Sequence, residues 1–321
     1  MRKVVFLLSL FLLLAASPLF AQEIYLQGGG TESTQTHDPV LRWGLEYVQG
    51  LSEHWAAGLT HINEGHIPNH HRDGYEPQIW LRTNVVERKL WLAAGVGPYL
   101  YFDTTNHGSR DTSYDAHGWG TVFSLAATWY TESRFLYQIR ANYINAVNSF
   151  DSVSVTAGIG YQLDAPATRG PLQKAPPQTV STTGNEITVF AGDAVLNQSE
   201  RHHSFGEAAE YRRGVAPHLD VTVGFLNEGP ENDDRFGATA QIWAVRSWFD
   251  DKVVFGIGVG PYLARDEHRG VTGSTTLNAL IGLTAGYSFS DHWVGRFIWD
   301  RVLTNYSHDA DVWLAGLGYR F

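Results

Sequence analysis

The residues from His61 to Glu76, HINEGHIPNHHRDGYE, place His61, Asn63, Glu64, His66, His70, His71, Arg72, Asp73 and Glu76 within one short stretch. Imidazole and carboxylate groups at this density can bind a divalent transition metal, or supply an acid and a base. Asn63, Glu64, His66, His70, His71 and Asp73 are therefore the candidate site. A solvated external loop is rich in the same residue types, and that reading stays open beside it. The other histidines toward the same side, His107, His117, His202, His203, His268 and His308, lack fixed spacing. There is no P-loop, no nucleophile elbow and no HExxH motif.

The chain that must position this stretch is a duplication. GVGPYL occurs at Gly95 to Leu100 and again at Gly258 to Leu263. At offsets of 163 or 164, Glu23-Ile24 matches Glu186-Ile187, Asn63-Glu64-Gly65 matches Asn227-Glu228-Gly229, and Gln78-Ile79-Trp80 matches Gln241-Ile242-Trp243. The copies close alike, on Gly160-Tyr161-Gln162-Leu163 and Gly318-Tyr319-Arg320-Phe321. Collinear matches of this kind mark a repeat. The second copy keeps Asn227 and Glu228 but follows Gly229 with PENDDR, which holds no histidine. A metal essential to both copies is thereby excluded, and the shared Asn-Glu-Gly reads equally as a turn or rim hydrogen-bonding feature.

Eight alternating segments run through the first copy, near 23–28, 40–48, 54–63, 76–85, 90–102, 119–130, 134–145 and 152–163. In the fifth, Leu90, Leu92, Ala94, Val96, Pro98, Leu100 and Phe102 share one face against Trp91, Ala93, Gly95, Gly97 and Tyr99. In the second, Leu41, Trp43, Leu45 and Tyr47 oppose Arg42 and Glu46. This is the period of a β-strand. A water-soluble barrel would turn the apolar faces inward. Glycine, serine and charged residues on the opposite face suit a narrow interior instead, and Trp and Tyr at segment ends suit membrane interfaces. The connections alternate long and short, with Gly29–Pro39, His61–Gly74, Asp103–His117 and Ala146–Asp151 against Gly50–Glu53, Glu87–Lys89 and Glu132–Ser133. Ser290-Asp291-His292-Trp293 in the second copy resembles the short turn Ser52-Glu53-His54-Trp55. Short periplasmic turns and longer external loops are the habit of outer-membrane barrels.

Arg2 and Lys3, an apolar run from Val4 to Leu14 and the small Ala15, Ala16 and Ser17 read as a secretory signal peptide over 1–21, cut after Ala21. Of 23 Lys and Arg, loss of Arg2 and Lys3 leaves 21 against 33 Asp and Glu, a net of about −12. Nucleic acid is a poor partner for such a chain. With no Cys, neither disulfides nor thiolate metal sites are possible. The expected organisation is a barrel repeat over 22–163, a Pro-rich periplasmic linker over 164–185 and a second repeat over 186–321. The final Phe321, with Tyr319 two residues before it, is similar to the C-terminal signature read by the barrel-assembly machinery of a Gram-negative outer membrane.

The fold class expected is all-β, two tandem eight-stranded antiparallel transmembrane barrels, with one sixteen-stranded barrel as the alternative. Arg42, Glu46, Gln78, Trp80, Arg82, Gln138, Arg140 and Asn142 fall on the interior faces. Eight strands enclose a lumen just wide enough for side chains to fill, where charges must pair with one another. That list fits two narrow plugged barrels better than one wide pore.

The GxGPYL-type strand, the segment ending NYINA and the closing GIGYQL resemble the lipid A 3-O-deacylase family of eight-stranded outer-membrane barrels. The resemblance spans about the last half of each copy and implies the fold. That family's penultimate strand carries a His base and a Ser nucleophile two residues apart. The comparable residues here are Asn142-Tyr143-Ile144-Asn145 and Asp300-Arg301-Val302-Leu303, so neither copy keeps the dyad. The function expected is a non-enzymatic outer-membrane barrel with a structural, adhesive or ligand-binding role through its external loops. The alternatives are a lipid A or phospholipid acyl hydrolase using Glu64 and His66 as its acid–base pair, and a passive pore. The partners expected are outer-membrane lipid, lipopolysaccharide and the barrel-assembly machinery. No cofactor is expected beyond a divalent metal at the His-rich stretch.

Overall fold

The computed structural model describes residues 22–106, 113–164, 166, 168–171, 182–198, 202–230, 234–266 and 273–321. The expected signal peptide, most of the linker, His107 and His268 lie outside the described residues. Two compact units divide the chain. The first holds β1 (Gln22–Ser33), β2 (Pro39–Gly50), β3 (Trp55–Ile67), β4 (His70–Val86), β5 (Leu90–Asn106), β6 (Ser113–Tyr130), β7 (Phe135–Ala146) and β8 (Ser152–Gln162). The second holds β9 (Glu186–Leu196), β10 (His202–Ala216), β11 (Leu219–Asn227), β12 (Phe236–Trp248), β13 (Val253–Asp266), β14 (Ser274–Ser288), β15 (Trp293–Leu303) and β16 (Ala310–Arg320).

Each unit is a closed antiparallel barrel of eight strands joined in sequence order, sealed by β1 against β8 and by β9 against β16. Closure leaves no strand edge unpaired, the condition for a sheet to cross a membrane. The sixteen strands do not form one wide barrel. No helix among the described residues is long and apolar enough to cross a membrane, which says nothing of strands.

Alternation decides which face is wet. β7 alternates exposed and buried along its whole length, with Tyr137, Ile139 and Tyr143 outward and Leu136, Gln138, Arg140, Asn142 and Ile144 inward. Leu41, Leu125 and Ile139 in the first unit, and Val189, Val223 and Leu317 in the second, are at least half exposed on the outer wall. Large apolar side chains cover the outside while arginines and carboxylates are buried inside. Such a wall is stable only against hydrocarbon, so these are membrane-spanning barrels.

The expected contrast of long external loops with short periplasmic turns is corrected. β4, β5 and β6 run for 17, 17 and 18 residues, well past the ~10 needed to cross a bilayer. The residues expected as loops, including most of His61–Gly74 and both ends of Asp103–His117, continue the ladders beyond the apolar belt. Backbone pairing satisfies their N–H and C=O groups there as well as water would, and histidine or asparagine does not break a strand. The His-rich stretch is thus a hairpin whose turn is only Pro68-Asn69, with Asn69 at φ 65°.

The repeated GVGPYL has a packing reason. The Trp80 ring lies flat on Gly95, where a Cβ would sit 2.6 Å from the indole; Gly258 stands in the same relation to Trp243, at 2.3 Å. Gly95→Ala and Gly258→Ala each displace a buried tryptophan, and each is expected to lower stability by about 1–3 kcal/mol in urea titrations of the refolded protein. A change below ~0.5 kcal/mol at both positions would show that the rings do not need the space.

The described ends of the linker are not free. Arg88 donates to the Arg169 and Pro171 carbonyls at 2.7 and 2.8 Å, and Gln162 to Gly170 at 3.2 Å, which folds this segment against the end of the first barrel where β1 begins and β8 ends. In the second unit Gly214 N–H donates to the Thr183 carbonyl, and Thr183 Oγ1 to Asp220.

Candidate functional site

Arg42, Glu46, Gln78, Arg82 and Arg140 all lie inside the first barrel, each 5 % exposed or less. Arg140 is the hub. Its guanidinium donates to Glu46 at 3.1 Å, Glu76 at 2.9 Å, Asn142 at 2.6 Å and Thr60 at 3.1 Å, and also to Gln78. Arg42 donates to Glu76 at 3.2 Å and to Ser154 at 2.6 Å. Two arginines thus offset two carboxylates midway through the wall, and Gln27, Gln138 and Ser124 complete the hydrogen bonds. Arg82 sits nearer the end where β1 begins and ties down the β2–β3 turn through the Ser52 and Glu53 carbonyls.

In the second barrel the positions of Arg42, Glu76 and Arg140 are held by Gly206, Thr239 and Ile298. The centre is apolar, with Phe190, Trp243, Leu280, Ile298 and Leu314 packed together. Beside them Asp300 accepts from Gln241 at 3.0 Å, and toward the end that carries both termini of the unit Arg296 and Arg320 bond Glu186, and Arg212 bonds Glu210 and Asp220. Both lumens are filled, the first at its centre by paired charge and the second there by packed apolar side chains around one buried carboxylate, Asp300.

The six candidate residues do not converge. Alternation along β3 and β4 sends Glu64 and Arg72 into the lumen, and His70 reaches Asp103 there at 2.9 Å. His66 and His71 face each other across the hairpin outside, with ring centroids 4.4 Å apart, and Asn63 contacts His71 at 3.2 Å. Asn63 and Asp73 form the next cross-strand pair. The barrel wall separates the two sets. Among the described residues no three His, Cys, Asp or Glu side chains are grouped to hold a metal ion. Glu64 and His66 point to opposite sides, so they are not an acid–base pair. Of the other histidines, His203 contacts Asp193, His117 packs on Phe102, and His202 is exposed.

What the repeats share is a different constellation at the end of each lumen opposite the termini of its unit. Gly65 and Gly229 take φ of 72° and 81°, and their N–H groups donate to Asn63 and Asn227 side chains at 3.0 and 3.1 Å. This turn carries Glu64 and Glu228, both fully buried, to an arginine. Arg72 Nε donates to Glu64 at 2.6 Å, and Arg235 forks onto both oxygens of Glu228 at 2.6 and 2.5 Å. Tyr99 donates to Glu64 at 2.7 Å, as does Ser152 at 2.5 Å. Tyr262, the repeat partner of Tyr99, is likewise fully buried.

Each arginine then reaches the loop between the last two strands of its own barrel. Arg72 donates to the Phe150 carbonyl at 2.5 Å and Ser149 Oγ at 3.0 Å, with its guanidinium carbon 3.6 Å from the Phe150 ring centroid. Arg235 donates to the His308 carbonyl at 2.9 Å and to Tyr306 at 3.3 Å. Asp103 accepts from Ser149, and Asp266 from Tyr306 at 2.6 Å. Burial pushes the Tyr306 phenol above its ordinary pKa, opposed by the adjacent Arg235 charge. Both loops contain Ser-x-Asp, and Asp151 and Asp309 accept from the Ala146 and Thr304 N–H groups. Arg72 with Arg235, Asp103 with Asp266 and these loop residues were discoverable from the repeat register. They pass unnoticed because single Arg, Asp and Ser matches are short.

No protein-family model matches this chain, and no curated protein matches it. The resemblance to lipid A deacylases gains no support from either comparison. Solved structures similar to single units include the N-terminal β-barrel domain of Pseudomonas aeruginosa OprF, at 10% identity and TM-score 0.35 over 44% of this chain and 98% of that one. Neisserial surface protein A gives 12% identity and TM-score 0.34 over 44% and 96%. Ail, the attachment invasion locus protein of Yersinia pestis, gives 10% and 0.35 over 46% and 99%. The fold itself rests on the closed strand order of each unit.

Proposed function

We propose that this chain is an outer-membrane protein made of two plugged barrels that displays its external loops to ligands or surfaces and neither conducts solute nor turns over substrate. The observation that carries this reading is the filling of both lumens under an apolar outer wall. A solute path would have to run past Arg140 with its two carboxylates, or through the packed Trp243 cluster. Outer-membrane lipid and lipopolysaccharide are the surroundings such a wall fits, and the barrel-assembly machinery would insert it.

Planar-bilayer recordings of the purified protein are expected to show no stable conductance steps. Reproducible unitary steps would overturn the plugged reading and favour a pore. Mass spectrometry of lipid A from deletion and overexpressing strains is expected to show unchanged acyl chains; loss of an acyl chain on overexpression would favour an enzyme. The absent dyad, and the separation of Glu64 from His66 by the barrel wall, support the non-enzymatic side.

A further inference from the structure

We infer that the last external loop of each barrel is a lid latched over the lumen by an internal Glu–Arg pair, and that the two lids open independently. The elements of the latch recur at the repeat offset: Glu64 and Glu228, Arg72 and Arg235, Asp103 and Asp266. The centres of the two lumens have meanwhile diverged from charged to apolar. A constellation kept while its surroundings change is not a by-product of a common core. The two loops also differ in sequence, Val147–Asp151 against Thr304–Asp309, yet each offers the same carbonyl, one residue before its Asp, to the same arginine atom.

The mechanics follow from the arginine fork. One edge of the guanidinium is fixed by a buried carboxylate, so the other edge is aimed at the loop with little freedom left to lose. Glu64 is itself fixed by Tyr99 and Ser152, and the loop is held a second time through Asp103 or Asp266. In the first unit His70 adds an edge contact to Phe150, at 5.1 Å between centroids. Without the arginine the ends of each loop stay tied, Val147 to Trp119 and Asp151 to Thr34 in the first unit and Asp309 to Asn197 in the second, but the middle is left with Asp103 and His70 or with Asp266. Its backbone then exchanges with open forms, and the mouth of the lumen becomes accessible.

Chymotrypsin reads the lids separately, because Phe150 lies in the first and Tyr306 in the second. The full chain, refolded in detergent micelles, is digested and the cleavage sites are mapped by mass spectrometry. Little cleavage after either residue is expected in the parent. Arg72→Ala should raise cleavage after Phe150 by about tenfold or more and leave Tyr306 protected, while Arg235→Ala should do the reverse. Arg72→Lys keeps the positive charge beside Glu64 but lacks the fork. It should raise cleavage after Phe150 by about threefold, in a barrel that still migrates as folded without heating. Parent-like resistance at Phe150 in folded Arg72→Lys and Arg72→Ala would overturn the inference. So would equal cleavage of both loops in either single variant. If Arg72→Ala does not fold, the lysine variant decides alone.

Discussion

Replacing Arg140 by alanine is expected to destabilise the first barrel by about 3–5 kcal/mol, the largest effect of any single interior substitution there. The magnitude comes from what is left behind. Glu46 and Glu76, both buried, would face each other with Arg42 bonded only to the second. An unpaired buried carboxylate costs far more than the pair contributes. The quadruple variant Arg42→Met, Glu46→Gln, Glu76→Gln, Arg140→Met removes all four charges at similar volume, and should recover most of the loss. The second barrel shows that the fold does not require charge there, since Gly206, Thr239 and Ile298 occupy three of the four positions. Urea titration of the refolded protein, followed by unheated gel migration, measures both variants. If the quadruple is as unstable as Arg140→Ala, charge pairing is not what makes Arg140 important.

This asymmetry between pair and remnant also explains how the two lumens diverged. Arg42, Glu76 and Arg140 cannot be lost one at a time without passing through a barrel with an unpaired charge. Glu46 has its counterpart in Glu210, and Arg212, at the position of Val48, is its partner at 3.0 Å. The external latch shows the opposite history. Its Glu, Arg, Tyr and Asp recur in both units, while Ser152 and Phe150 give way to Ala310 and His308. In a coupled buried network, removing one member costs more than its pairwise contacts suggest.

The same physics sets what could be read in the residues alone. Period-two alternation placed Arg42, Glu46, Gln78, Arg82 and Arg140 on interior faces, because a strand offers only two faces and a one-residue slip would exchange them all. The duplication exposed both units, since GVGPYL records a tryptophan lying on a glycine. The strand ends near His61–Gly74 were not legible. Polar composition marks where apolar burial stops, whereas backbone pairing continues past that point through Asn63, His66 and His71. The His-rich cluster misled for a related reason. Density along the chain is not density in space when neighbouring residues point to opposite sides of a wall, as Glu64 and His66 do. The latch was hidden because its parts come from β3, β4, β5 and the final loop, and only the ladder register brings them together.

Leu125→Arg tests the premise beneath all of this, that the outer wall meets hydrocarbon. Leu125 lies mid-strand in β6, paired with Ala94 on one side and Ala141 on the other, and is 66 % exposed. On a water-soluble barrel an arginine at so exposed a position would change stability by less than ~0.5 kcal/mol. At the midplane of a bilayer the same substitution costs about 2–4 kcal/mol, because the guanidinium loses its hydration and has no partner on the wall. Equilibrium folding into short-chain phospholipid vesicles, with Leu125→Ala as the size control, distinguishes the two. The expected result is a loss of at least ~2 kcal/mol for arginine beyond that for alanine. A difference near zero would mean that this face is wet. The charged lumen of the first unit would then need another explanation, since a soluble barrel has every reason to turn Leu125 inward and Arg140 out.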